Sequence, residues 1–115
     1  MLPRRLQGLP SRTLEDGLVV HEATSLRARL LGLALLARGA LPRGHALLIP
    51  DCRSVHTFGM RFPIDVVFLD WDGRALRIER RVGPRRVLVC GGAFAVLERP
   101  SPPPPRDAPA GGSAR

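Results

Sequence analysis

At 115 residues the chain has the length of one small domain, able to remove roughly two-thirds of its unfolded surface from water. A hydrophobic content of 44% fits a globular protein, and with four Phe and one Trp the core has to be built mainly from Leu, Val and Ala. The formal charge of +8 invites a nucleic-acid reading, but all 18 basic residues are arginine and they run from Arg4 to Arg115 without gathering.

Lysine, asparagine and tyrosine, whose codons are AT-rich, are all absent. A GC-rich coding sequence yields this composition without an anionic partner, so nucleic-acid binding is disfavoured. No apolar run approaches the roughly 18–20 residues that span a bilayer, and no membrane association is expected. The N-terminal MLPRRLQGLP lacks the apolar segment and small-residue cleavage site of a signal peptide. A cytoplasmic protein is therefore expected, with Cys52 and Cys90 as reduced thiols. Two cysteines 38 residues apart define neither a disulfide framework nor a zinc-site pattern.

Residues 1–15 carry no strong pattern and are expected to be weakly structured, ahead of a single globular domain over 16–98. GLVVHEA (17–23) suggests a short first strand. Thr24 then stands as an N-cap before SLRARLLGLALLAR. Leu26, Leu30, Leu33 and Ala37 form an apolar stripe at helical spacing, widened by Leu31, Leu35 and Leu36. Arg38 complements the helix dipole and Gly39 stops the helix, which is expected over 25–38 with Gly32 a mild weakness.

After Pro42 the pattern changes to strands. ALLIP (46–50) and IDVVFLD (64–70) are short apolar runs, the second too β-branched for a helix. Asp72-Gly73 is a two-residue hairpin signal, and RALRIER returns with Leu76 and Ile78 on one side and Arg77 and Glu79 on the other. Gly83-Pro84 breaks that strand. RVLVC (86–90) and AFAVLE (93–98) read as a last pair joined across Gly91-Gly92. The expected fold class is α+β: one N-terminal helix on a small curved, mainly antiparallel sheet or partial barrel. Residues 99–115, RPSPPPPRDAPAGGSAR, cannot bury enough apolar surface to order and are expected to be a disordered tail. Its four-proline run favours polyproline II, a conformation able to dock an aromatic groove on a partner.

Two segments resemble the family known as domain of unknown function 192. RLLGLALLARGALPRGHALLIP is similar to the family's early arginine-rich helix, leucine-glycine pair and leucine-proline. VHTFGMRFPIDVVFLDWDG is similar to its signature, with Phe58, Met60, Pro63, Ile64, Asp65, Phe68 and Gly73 in the matching places. Many members carry tryptophan where Gly59 stands. Members usually continue past the leucine-glutamate of the last strand into a segment ending in glycine-aspartate, which a proline-rich tail replaces here after Glu98. The resemblance implies a small β-rich domain with one helix and brings no established activity.

The chemistry worth testing lies in HTFGMRFPID (56–65). Alternation puts Asp65 on a face with Val67 and Leu69, opposite Ile64, Val66 and Phe68. A carboxylate buried there needs donors. It either takes main-chain N–H groups of the preceding turn or an arginine such as Arg61 or Arg53, or serves a pocket as general base or polar anchor. Cys52, His56 and Met60 would share a face if 52–60 were extended, a soft-ligand set. Positions four apart in a strand are about 13 Å apart, however, so no metal site is expected. The same spacing argues against a Cys52–His56 nucleophile pair, and Cys90 is expected to be a small buried hydrophobe.

His21 and His45 have no partner at useful spacing. No phosphate loop, dinucleotide fingerprint, G-x-S-x-G or H-E-x-x-H occurs, so no cofactor is expected. The reading that follows is a non-catalytic binding or accessory module. Its site for a small-molecule or protein ligand would be formed by His56, Thr57, Phe58, Met60 and Asp65. The alternatives are a small hydrolase-like enzyme with Asp65 and His56 as acid/base pair, and arginine-mediated anion or RNA binding.

Overall fold

The computed structural model describes residues 2–103. A 3₁₀ turn at Arg4–Leu6 is followed by β1 (Ser11–Thr13), β2 (Val19–Glu22), α1 (Leu26–Leu31), β3 (His45–Pro50), β4 (Ser54–His56), β5 (Ile64–Leu69), β6 (Ala75–Val82), β7 (Val87–Val89) and β8 (Ala95–Pro100). Six strands form one open mixed sheet in the order β1-β2-β3-β8-β5-β6, and β4 and β7 form a separate ribbon. Only β2 and β3 run parallel; the other pairings are antiparallel. The architecture is predominantly β with one short helix, and the sheet does not close into a barrel.

One face of the large sheet carries the core. Leu47, Ile49, Ile64, Val66, Phe68 and Val96 point into it and are covered by Ala28, Leu33, Met60 and Phe62, with Val55 and Leu88 of the ribbon. The N-terminal segment joins this core: Leu6 is buried and the Arg5 guanidinium donates to the Gly32 and Ala34 carbonyls at 3.0 and 2.6 Å. Arg5 and Leu6 anchor this segment to the core and Ser11–Thr13 pair with β2, so it is not loose as the sequence suggests.

The helix is much shorter than its apolar stripe suggests. Ser25, not Thr24, is the N-cap, its Oγ accepting the Ala28 N–H at 3.0 Å. Gly32 ends the helix with φ 55° and ψ −126°, a conformation open only to glycine. Residues beyond it turn away, so Leu33 and Leu36 are buried while Leu26, Leu30 and Leu35 stand more than half exposed. The leucines therefore serve two purposes, and a single helical stripe does not describe them.

The last two strands also pair differently from their sequence order. β7 joins β4, and β8 enters the centre of the large sheet between β3 and β5. A tight hairpin across Gly91-Gly92 would have kept β8 at an edge, where half of its hydrogen-bonding groups go unpaired. Leu76 and Ile78 of β6 lie at the open edge and are about half exposed. The sheet extends past Glu98: Arg99 and Pro100 belong to β8, and Ser101 N–H donates to the Pro63 carbonyl at 2.9 Å. The remainder of the expected tail, from residue 104, lies outside the described residues.

Asp65 explains how this end of the sheet is held. Between the pairs Ile64–Val82 and Val66–Glu79, the single residue Asp65 faces both Arg80 and Arg81, a bulge that places Arg81 at φ 51°. Asp65 Oδ1 accepts the Arg81 N–H at 3.0 Å and the Ser101 hydroxyl at 2.6 Å. Its Oδ2 faces Arg80 and Arg99, each at 3.5 Å. Its partners thus come from β6 and β8 rather than from the preceding turn, Arg61 or Arg53, because the carboxyl points across the sheet and not back along the chain.

Burial alone pushes the Asp65 carboxyl up. The Ser101 hydroxyl, the Arg81 N–H, and the charges of Arg99 and Arg80 outweigh it and hold the pKa below the ordinary value. The two arginines are substantially solvent-exposed, so the short hydrogen bonds hold the carboxylate more than the ion pairs do. Because the folded-state pKa is depressed, the stabilisation is present above the unfolded value of 3.8 and is lost as pH falls through the lower folded value. Asp65→Asn is expected to cost about 2–3 kcal/mol in denaturant unfolding at pH 7, with the gap to wild type narrowing below about pH 4. A gap that is constant with pH would remove the charge from this account.

Candidate functional site

The most unusual side chain is one to which the sequence alone gave no role. Glu98 sits in β8 opposite Leu47 on one side and Val66 on the other, both fully buried. It therefore points with them into the core and is 2% exposed. Its Oε1 has no hydrogen-bond partner. Burial pushes its pKa up from 4.5 to about 7, and a single opposing hydrogen bond from the Leu33 N–H does not prevent this.

The backbone is shaped around this carboxyl. A Cβ on Gly32 would lie 2.6 Å from Glu98 Oε1, so the glycine's special dihedrals and its missing side chain serve the same close approach. Glu98 opens into a cleft of about 50 Å³ between the end of α1 and β4. Arg29, Leu30, Cys52 and His56 line its sides. A space of this size holds one or two water-sized groups, so it admits the tip of a ligand rather than a whole one.

Each wall is fixed in place. The Arg29 guanidinium donates to the Pro50 carbonyl at 2.6 Å and lies 3.4 Å from that of Asp51. The His56 Nδ1 accepts the Phe58 N–H at 3.2 Å, which leaves Nε2–H to donate to the Leu30 carbonyl at 3.3 Å. Cys52 Sγ–H donates to the Ser54 carbonyl at 3.0 Å. Leu30 in the cleft wall is more than half exposed, as are Leu35, Phe58 and, one helical turn before Leu30, Leu26. The His56 and Phe58 rings are 5.9 Å apart, and Leu35 N–H donates to the Gly59 carbonyl at 2.8 Å, which joins these residues into one rim.

The five residues proposed from sequence are thereby separated. His56 lines the Glu98 cleft and Phe58 adjoins its rim. Thr57 is fully buried: its hydroxyl donates to the Gly83 carbonyl at 2.7 Å and accepts the Arg86 N–H at 2.8 Å, tying the segment to the turn before β7. Met60 is a core residue. Asp65 lies on the opposite face of the sheet from Glu98. It shares neither a hydrogen bond nor the Glu98 cleft with His56. Cys52 and His56 do border one cleft, Cys52 from the bend that precedes β4 and His56 from its end. Among the described residues no three His, Cys, Asp or Glu side chains are grouped to hold a metal ion, and no helix is long and apolar enough to cross a membrane. Cys90 is only partly buried, against the edge of the core.

His21 and His45 do have partners, namely each other. The parallel pairing of β2 and β3 brings His21 Nε2 and His45 Nδ1 to 2.8 Å with the rings stacked at 5.1 Å. Only one proton fits between these nitrogens. Burial, and then the neighbouring His45, lower the pKa of His21. A sequence separation of 24 residues gives no sign of such a contact.

The DUF192 family model, described as "Uncharacterized ACR", matches residues 11–101. The chain belongs to this family. Two solved structures share the fold. One is a Novosphingobium aromaticivorans protein of unknown function, 17% identical over 88% of both chains, with a TM-score of 0.58. The other, from Sinorhizobium meliloti, is proposed to be a transcription regulator; it is 20% identical over 79% of this chain and 78% of its own, with a TM-score of 0.59. No curated protein matches the sequence significantly. Membership of this uncharacterised family fixes the architecture, and the chemistry has to be argued from the side chains.

A glutamate whose folded-state pKa is raised contributes stability that is fully present below the unfolded value of 4.5 and is lost as pH rises through about 7. The shift corresponds to about 3 kcal/mol. Wild type should therefore lose roughly this much stability between pH 4.5 and pH 7, and Glu98→Gln, which keeps the shape without the charge, should not. Chemical unfolding of both proteins across that window checks the claim; parallel curves would contradict it.

Proposed function

We propose that this chain is a non-catalytic binding module and that Glu98 is its recognition group. The observation that supports the reading is the unpartnered Oε1 of a nearly inaccessible carboxyl at the floor of a cleft. An apolar residue in that position would stabilise the fold at neutral pH. Perturbed carboxyls at the base of clefts mark sites where stability is given up for recognition or chemistry.

The chemistry of the cleft selects its ligand. An acceptor oxygen without a donor is best satisfied by an N–H group, and an ionised carboxylate in this setting favours a cation. The small volume limits that group to a head such as an ammonium, while exposed Leu30 in the wall and Phe58 beside His56 offer an apolar surface to whatever carries it. The reading is thus a primary amine on an apolar body. His56 narrows the mouth through its bond to Leu30, and its Nε2–H is already committed there. An acid/base role for Asp65 with His56 has no supporting contact, because Asp65 is engaged by Ser101 and Arg81 across the sheet.

Isothermal calorimetry with methylammonium, butylammonium and hexylammonium tests the proposal. Affinity should rise with alkyl length, because each CH₂ placed on the apolar rim contributes up to about 0.8 kcal/mol. It should be greater at pH 8 than at pH 6, because ionisation of Glu98 creates the counter-charge, and Glu98→Gln should abolish it. Equal binding by wild type and Glu98→Gln, or no binding of any amine at pH 8, would overturn the proposal and leave the cleft to water.

A further inference from the structure

A second cleft, of about 560 Å³, lies elsewhere on the molecule and has the opposite chemistry. Its size falls in the range of small-molecule sites. Arg38 and Arg43 reach it from the connection between α1 and β3, Arg81 from the β6 bulge, and Arg99 from β8. His45 also lines it, and no aspartate or glutamate does so among the described residues. We infer that this cleft binds a small polyanion bearing phosphate or carboxylate groups.

Three observations support the assignment. Four arginines drawn from distant parts of the chain border one concavity, and their charges together raise a positive potential there that favours an anion. Among the described residues Asp65 is the carboxylate that pairs with a member of this cluster, Arg99, and its oxygens are already engaged with Ser101, the Arg81 N–H, Arg80 and Arg99. It therefore positions part of the cluster without neutralising it. Two of the arginines are also held in place before any ligand arrives. Arg81 is held by its backbone bond to Asp65 and by its guanidinium donating to the Pro102 carbonyl at 2.8 Å, and Arg99 by its ion pair with Asp65. A partly fixed guanidinium loses less freedom on binding, and its planar fork matches the oxygen pairs of phosphate and carboxylate.

The expectation that the arginines are merely scattered is thus qualified by the fold, which collects four of them. Concave shape and walls that include Leu18, Leu41 and Phe62 favour a compact ligand over a polymer lying across a surface. This site is distinct from the Glu98 cleft, and neither depends on the other being occupied.

The test uses the full chain with pyrophosphate, citrate and inorganic phosphate as probes, followed by calorimetry and thermal shift. Binding of pyrophosphate or citrate should weaken about five- to tenfold in each of Arg38→Gln and Arg43→Gln, and more in the double variant. It should also weaken as salt is raised from 50 to 200 mM. Neither of these arginines contacts the Asp65 network, so both variants are expected to fold as wild type does. Preference between pyrophosphate and citrate separates a phosphate ligand from a carboxylate one. Three results would overturn the inference: no binding by any probe, binding unchanged in the double variant, or binding of a single-stranded RNA oligomer without binding of either small anion.

Discussion

The strand register of β8 is the constraint on which the rest of this molecule depends. In that register Glu98 faces the core beside Leu47 and Val66, and Arg99 faces the opposite side beside Asp65. A slip of one residue would exchange them, placing a guanidinium in the core and a carboxylate against Asp65. The Asp65 cluster prevents this. Its hydrogen bond to Ser101 and its pairing with Arg99 fix the C-terminal end of β8. The aspartate at the start of β5 is thus the lock, and the glutamate in β8 is what the lock holds in place.

Two neighbouring residues of one strand consequently line two different clefts. Glu98 forms the floor of a narrow one, where its Oε1 has no donor, and Arg99 joins the wall of a wide one rich in positive charge. Both arrangements follow from alternation in a central strand, which sends neighbouring side chains to opposite faces of the sheet. Gly32 completes the first by bringing the end of α1 against the carboxyl, where any side chain would collide. The short helix, the bulge with its left-handed arginine and the crossing of β8 into the sheet centre are parts of one arrangement around these two charges.

Much of this was legible in the residues. The β-rich class, the strands at IDVVFLD and ALLIP, the hairpin at Asp72-Gly73 and the burial of Asp65 follow from period-two patterning and turn chemistry. The helix length was not legible, because RLLGLALLAR contains leucines enough for any face. Only the approach of Glu98 shows that Gly32 is a terminus rather than a weakness. The role of Glu98 had a signal that proximity to the proline-rich tail obscured. In AFAVLERP, alternation places it with Val96, so a carboxylate was due on the core face if the strand continued. The histidine pair and the arginine cleft had no local signal, since each joins residues far apart in sequence that only the folded sheet brings together.

The central claim is that a carboxyl inside this fold stays protonated far above the usual range because nothing but one backbone N–H attends it. Site-resolved ¹³C NMR titration of the Glu98 side-chain carboxyl in the ligand-free protein measures this directly. A midpoint near pH 7, well above the ordinary glutamate value of 4.5, is expected. A midpoint at the ordinary glutamate value of 4.5 would show the carboxyl to be well solvated or well partnered, and the recognition site proposed around it would not stand.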